Sequence, residues 1–133
     1  GVLGFDDPCA PRVQGTLDAI RAELGAGGPL VYRYTPGADG LDGTEGAFLP
    51  CSFWLAHGLA VAGRAEEASE MLEQLTGLGA RLGLFAEEVD PSTGVALGNY
   101  PQALTHSSLV RAALAVRDAT VGHGASSSPS ATP

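Results

Sequence analysis

The sequence predicts an all-α fold built from antiparallel helix hairpins. Four segments have helical spacing, and they alternate between amphipathic and largely apolar. Long glycine-containing stretches precede the second and fourth segments, whereas a short link separates the second from the third. Outer helices that alternate with buried ones are typical of an α/α hairpin array, either a closed toroid or an open solenoid.

The first predicted helix runs from Asp6 to Leu24. Acidic residues and a proline at its start suit the positive end of the helix dipole, and a glycine ends it. Its apolar residues form one stripe, Val13, Leu17, Ile20 and Leu24. Because the opposite face is polar, we expect this helix on the outside. A short extended segment at 30–34 and a loop at 35–44 are predicted next.

The second predicted helix runs from Glu45 to Ala62 and should be buried on every side. After Glu45 it carries no formally charged side chain, and large apolar residues go all the way round it. The third predicted helix, from Arg64 to about Leu78, has an apolar stripe opposite an acidic face, so it should lie outside.

A short β-hairpin is predicted at about 84–97. An apolar run ends in Asp90-Pro91-Ser92-Thr93-Gly94, where proline presets φ for a turn and glycine is free to take a positive φ. Glu87 and Glu88 lie in the first strand, so their side chains should point to opposite faces. Only one of them can face a given cavity, and the other is expected to be solvated.

The fourth predicted helix runs from Pro101 to about Ala119 and should be mostly buried. From residue 120 the chain is rich in small and polar residues, which cannot bury enough apolar surface to offset their ordering entropy. We therefore predict a helical domain over residues 1–119 and a disordered tail over residues 120–133.

The order of the helices also predicts where a functional site would lie. In a hairpin array every buried helix runs in the same direction, so the long loops that enter them, 25–45 and 79–101, emerge at the same end. Loops gathered at one end of a packed scaffold commonly carry binding and catalysis. Arg33, Tyr34 and Glu45 are therefore expected near Glu87.

The composition disfavours several classes of partner and site. Fifteen acidic residues against seven basic ones give a net charge of −8, which argues against nucleic acid and against an anionic membrane surface. No apolar run approaches the roughly 20 residues that span a bilayer, and no signal segment is apparent, so a cytoplasmic location is expected. Cys9 and Cys51 lack the spacing of a disulfide framework or a zinc site, and we predict no metal and no cofactor.

Four motifs occur along the chain: EGAFLPCSFWL at 45–55, GRAEEA at 63–68, GLFAEEVDPSTG at 83–94 and LGNYPQALTH at 97–106. In this order they resemble the C-terminal part of bacterial glycoside hydrolase family 15 proteins, which include glucoamylases, glucodextranases and a branch of trehalases. The resemblance covers about residues 1–119. It implies a six-hairpin α/α toroid, of which this chain would form about one third.

The resemblance also implies a chemistry and the residues that perform it. The family inverts the anomeric centre of an α-glucoside with a general acid and a general base, which stand roughly 6.5 to 9.5 Å apart. Glu87 matches the base. Arg33 matches an arginine that hydrogen-bonds sugar hydroxyls, a task that suits its fixed fork of donors, and Glu45 is implied to contact sugar. An α-glucoside, either an oligosaccharide or trehalose, is thus the implied substrate.

One departure from the family pattern affects the expected activity. The family's general acid lies upstream in a Trp-Glu motif, whereas Trp54, the single Trp of this chain, is followed by Leu55. Because the loss of one partner of an acid–base pair typically costs several powers of ten in rate, we expect this chain alone to be nearly inactive.

A non-catalytic interaction module of helical-repeat type is the competing interpretation. Residues 63–75 are similar to one helix of a tetratricopeptide-type solenoid, although the roughly 34-residue period is missing and the loops are unequal. A truncated relative that binds sugar or a partner subunit without catalysis is a further one. Four helices of a toroid would leave the apolar sides of the second and fourth helices bare, so self-association is expected.

Overall fold

The computed structural model of the chain describes residues 6–38, 40, 45–79 and 81–125, with side chains as far as residue 121. Within them the helices are α1 (Pro11–Leu24), α2 (Leu49–Val61), α3 (Ala65–Gly77) and α4 (Ala103–Ala125). The strands are β1 (Gly25–Gly27), β2 (Leu30–Val31), β3 (Ala47–Phe48), β4 (Glu88–Val89) and β5 (Ala96–Leu97). The predicted helical fold is confirmed in kind, with two small antiparallel sheets added to it.

Helix α2 is the centre of the core. It packs against α4, α3 and α1, and most of its side chains are buried. Trp54 is the exception, with 45% of its surface accessible. The prediction that this helix is surrounded is therefore confirmed except on the side where Trp54 lies.

Helix α1 lies on the outside of α2, as predicted, but begins at Pro11 rather than at Asp6. The preceding residues form a turn, in which Ala10 N–H donates to the carbonyl of Asp7 and Cys9 N–H donates to its side chain. Because proline has no N–H to donate and its φ is preset, Pro11 suits the first helical position.

Helix α4 differs from the prediction in both burial and length. Its buried residues face α2, whereas its exposed side carries, beside polar residues, four large apolar side chains: Leu104, Val110, Leu114 and Val121. The prediction of a mostly buried helix is therefore wrong for this side. The helix also continues to Ala125, past the predicted boundary at residue 119, and residues 126–133 of the predicted tail lie outside the described residues.

The predicted β-hairpin is present and belongs to a larger sheet. Strands β4 and β5 pair antiparallel around a turn in which Gly94 N–H donates to the carbonyl of Asp90. β3 pairs with the other edge of β4, so the strand order is β3-β4-β5. This pairing also explains why α2 begins at Leu49 and not at Glu45, because Ala47 and Phe48 are extended to pair with β4.

Candidate active site

The pairing of β3 with β4 brings the two long loops together. Phe48 lies opposite Glu88, and Leu49 N–H donates to the carbonyl of Glu87 at 3.0 Å. The prediction that both loops emerge at one end is confirmed by these contacts. The residues predicted for the site are thus carried by two segments that hydrogen-bond to each other directly.

Helix α4 fixes the backbone just before Glu87. Buried Thr105 donates its hydroxyl hydrogen to the carbonyl of Ala86 at 2.9 Å, and Gln102 N–H donates to the carbonyl of Phe85 at 2.9 Å. His106 Nδ1 lies 2.7 Å from the carbonyl of Gln102 and donates to it in one tautomer, which leaves Nε2 to accept from Phe85 N–H at 3.4 Å. Gln102, just before α4, and Thr105 and His106 in its first turns therefore hold the segment that carries the candidate base.

The side chain of Phe85 ties the same segment into the core. Its ring packs edge-on against Phe53 of α2 and against His106, with centroids 5.6 Å apart in each pair. Such edge-to-face pairs add to the stability gained from apolar burial. The segment before Glu87 is thus anchored to both α2 and α4.

The carboxylate of Glu87 is held by Asn99 alone among the described residues. Its Oε2 accepts hydrogen bonds from the side-chain Nδ2 of Asn99 at 2.7 Å and from Asn99 N–H at 3.2 Å. Gly98 makes this approach possible, since its φ is +70° and a Cβ there would lie 3.0 Å from Glu87 Oε2. One oxygen of the carboxylate is therefore fixed, and the side chain remains partly accessible.

Arg33 lies in a cluster with Glu45 and Glu88. Its Nε donates to Glu45 Oε1 at 3.1 Å, and its Nη2 donates to the hydroxyl of Tyr34 at 3.1 Å and lies 3.7 Å from Glu88 Oε1. The guanidinium also lies over the rings of Tyr34 and Phe48. The side chain of Arg33 is 40% accessible, whereas those of Glu45 and Glu88 are 15% and 16% accessible.

The sequence-based prediction of this site is only partly matched. Arg33 and Glu45 lie together as expected, but it is Glu88, not Glu87, whose carboxylate faces Arg33. The expectation that the second glutamate is solvated is wrong, because β4 is the central strand of its sheet and Gly46 leaves room beside it. Burial, followed by repulsion from Glu45, raises the pKa of Glu88, and Arg33 acts in the opposite direction.

Because His57 lies on the apolar helix α2, the sequence predicts a core histidine with its hydrogen bonds satisfied rather than a ligand or catalyst, and the structure differs from this expectation. His57 is buried, but its Nδ1 has no hydrogen-bond partner among the described residues. Burial, with a smaller effect from Arg111, lowers its pKa, so the neutral ring is favoured.

The part of the chain that the structure describes contains no group of three or more His, Cys, Asp and Glu side chains suited to hold a metal ion. It also contains no helix whose length and apolar character would allow it to cross a membrane.

Comparison with known proteins places the chain in a family. The model of glycosyl hydrolases family 15 matches residues 2–114. The chain is 43% identical over 115 residues to a trehalase of Mycolicibacterium smegmatis, covering 86% of this chain and 17% of that protein. A trehalase of Mycobacterium tuberculosis is 42% identical over 84% of the chain, and one of Thermoplasma volcanium is 40% identical over 89%.

The chain spans 17% to 19% of the length of these three curated relatives. No solved structure shows significant similarity to it. Because the family model covers most of its length, the chain belongs to glycosyl hydrolases family 15.

Proposed function

We propose that this chain supplies the general-base side of an inverting α-glucoside hydrolase, with Glu87 as the base. The proposal rests on how the Glu87 carboxylate is placed: one of its oxygens is fixed by hydrogen bonds, and the side chain remains partly accessible. A base must be oriented and must reach the proton that it removes. Fixed Oε2 sets the orientation, and Oε1, which receives no hydrogen bond from the described residues, takes the proton of the attacking water.

Arg33 and Glu45 form the sugar-contacting part of the same proposal. Glu45 and Tyr34 occupy Nε and Nη2 of the guanidinium, while the described residues provide no acceptor for Nη1. Those N–H groups are directed to sugar hydroxyls, which accept hydrogen bonds well. Glu45 contributes by holding the guanidinium and by accepting from a sugar hydroxyl.

Trehalose is the substrate we propose, because the curated relatives quoted above are named trehalases. The general acid is proposed to come from residues outside this chain, in a six-hairpin toroid that the chain completes. On its own, the chain should therefore hydrolyse trehalose at no more than about 10⁻³ of the rate of the complete active site, since both members of the acid–base pair are needed.

The anomeric form of the products tests the reaction class. The full product of the reading frame that encodes this chain is mixed with trehalose, and glucose is followed by proton NMR before mutarotation. Inversion at the attacked carbon gives one β-glucose and one α-glucose from each trehalose, whereas retention gives α-glucose only. A 1:1 mixture in the first minutes is expected. Release of α-glucose alone, or no hydrolysis of trehalose, would contradict the proposal.

The exposed apolar side of α4 favours a second role, which is association with another surface. Val110, Leu114 and Val121 lie near one line along the helix, and Trp54 of α2 is exposed as well. An isolated chain with such a face is expected to self-associate. This is compatible with the hydrolase proposal, since the same face would be covered in a completed toroid.

A further inference from the structure

Glu88 has no task in the proposed reaction, yet it is one of the more enclosed carboxylates of the site. Its side chain is directed toward Arg33, whereas that of Glu87 is directed to Asn99. Removing a carboxylate from water costs free energy unless a partner compensates for it. A side chain directed to solvent would avoid that cost, so a favourable interaction must compensate for the enclosed position of Glu88.

Gly46 provides the space that Glu88 occupies. A Cβ at residue 46 would lie 2.8 Å from Glu88 Oε2 and 2.9 Å from Glu88 Cβ. The φ of Gly46 is not in the left-handed region, so its backbone does not require glycine. The glycine is therefore needed for close approach, first of the Glu88 side chain and then of Leu97, whose Cδ1 would lie 3.2 Å from that Cβ.

The charges around Glu88 make Arg33 its natural partner. Among the described residues, the charged groups that act on it are Glu45, Arg33 and Glu87, of which only Arg33 is positive. Arg33 is thus held by Glu45 at Nε and attracted by Glu88 at Nη2, while Tyr34 and Phe48 stack against its plane. A guanidinium held in this way loses little further freedom when it binds a ligand.

We propose that Glu88 is a positioning residue, whose carboxylate, seated in the space left by Gly46, fixes the guanidinium of Arg33 jointly with Glu45 for contact with the sugar. The inference rests on the proposed function, because it assigns Arg33 to the substrate. Glu88 takes no proton in the reaction. Its effect should therefore appear in substrate binding, whereas that of Glu87 should appear in the rate of the chemical step.

Hydrogen exchange in the full product of the reading frame tests the positioning without relying on activity. The hydrogen-exchange rate of Arg33 Nε–H is measured by NMR in the wild-type protein and in Glu88→Gln. Nε–H donates to Glu45, so its exchange reports how firmly the guanidinium is held; loss of the Glu88 charge at Nη2 should loosen the guanidinium and speed this exchange at least about threefold. Glu73→Gln, an exposed change on α3 with the same chemistry, should leave it unchanged. Equal exchange rates in wild type and Glu88→Gln would overturn the proposal.

Steady-state kinetics of the full product of the reading frame test whether Glu88 affects substrate binding. Glu88→Gln should raise KM for trehalose about 5- to 10-fold and change kcat by no more than about twofold. Glu88→Asp keeps the charge but draws the carboxylate back, so KM should rise less. An unchanged KM in Glu88→Gln, or a loss of kcat like that of Glu87→Gln, overturns the proposal. Should Glu88→Gln fail to fold, a wild-type KM in Glu88→Asp overturns it.

The two readouts separate this inference from the proposed function. If Glu87→Gln keeps full activity, the assignment of the base is wrong, while the exchange of Arg33 Nε–H still reports whether Glu88 positions the arginine. If Glu87→Gln is inactive and Glu88→Gln behaves as wild type in both readouts, only the role of Glu88 is wrong.

Discussion

Asn99 is the residue on which the geometry of the candidate base depends. Two of its donors reach the same oxygen of Glu87, and its carbonyl accepts from Glu87 N–H at 2.9 Å. Because the side chain of Asn99 donates to the base, and to no other group among the described residues, we expect it to act on the reaction through orientation. Its removal should therefore lower the rate without abolishing it.

Asn99→Ala is expected to lower kcat for trehalose about tenfold, because a misoriented carboxylate removes the proton less efficiently. The measurement is steady-state hydrolysis by the full product of the reading frame. Ser107→Ala, an exposed change on α4 whose hydroxyl bonds within its own helix, is the control and should have no effect. A wild-type kcat in Asn99→Ala would show that the hydrogen bonds to Oε2 do not matter for the reaction.

The pair of glutamates shows what can be learned from the sequence at this scale. Strand alternation correctly predicts that Glu87 and Glu88 point to different sides, and the family motif identifies Glu87 as the candidate base. The environment of Glu88 could not be predicted, because it depends on Gly46, which is distant in sequence and adjacent only through the pairing of β3 with β4. The feature of the sequence that could have indicated this environment is Gly46 itself, a glycine just before an apolar helix.

Among the secondary-structure elements, the hairpin of β4 and β5 has a turn that is held together by the carboxylate of Asp90. Asp90 accepts hydrogen bonds from the hydroxyl and the N–H of Ser92 and from the hydroxyl of Thr93. These bonds, the one from the Ser92 hydroxyl first, lower the pKa of Asp90 to about 2. The charged carboxylate is thus favoured by the folded state.

This shift predicts a pH dependence of the contribution of Asp90 to stability. Because the folded pKa lies below the ordinary value of 3.8, the contribution is present above about pH 4 and is lost as the pH falls through about 2. Asp90→Asn should therefore lower the Tm at about pH 6 and have little effect near pH 2. A Tm difference that does not shrink on acidification would contradict this assignment.

The boundaries of elements are where long-range pairing overrides local pattern. The apolar run of α2 predicts its core position well, but its first residues become strand β3 because β4 is available beside them. The Ala- and Leu-rich composition of α4 does not show which side is exposed, since composition alone does not show which neighbours are present. The expectation of a bare apolar side came from the family resemblance, because four helices of a toroid lack the helices that would cover it.

At the scale of the whole molecule, the exposed apolar face of α4 predicts how the isolated chain behaves. Multi-angle light scattering of the 133-residue chain should show species larger than a monomer, because an apolar face of this kind is unfavourable in water. Val110→Glu combined with Leu114→Glu should shift the chain to a monomer.

Leu82→Glu is the control for this prediction. It introduces one glutamate, against two in the double variant, at another exposed leucine outside the helices, and should leave the association unchanged. A wild-type chain that is monomeric at all concentrations tested would show that the face of α4 does not drive association.

The family assignment is the prediction from sequence that covers the largest part of the chain. It came from ordered motifs, and the match of the family model over residues 2–114 confirms it. The toroid and the general acid stay predictions, because both depend on more chain than these residues contain.

The trehalose kcat of Glu87→Gln, in the full product of the reading frame, tests whether Glu87 is the general base. The change keeps the shape of the side chain and the acceptor for Asn99 while removing the basic oxygen. We expect a loss of at least about 10³-fold, with Glu73→Gln as active as wild type. A Glu87→Gln enzyme that keeps more than about one tenth of the wild-type kcat would contradict the claim.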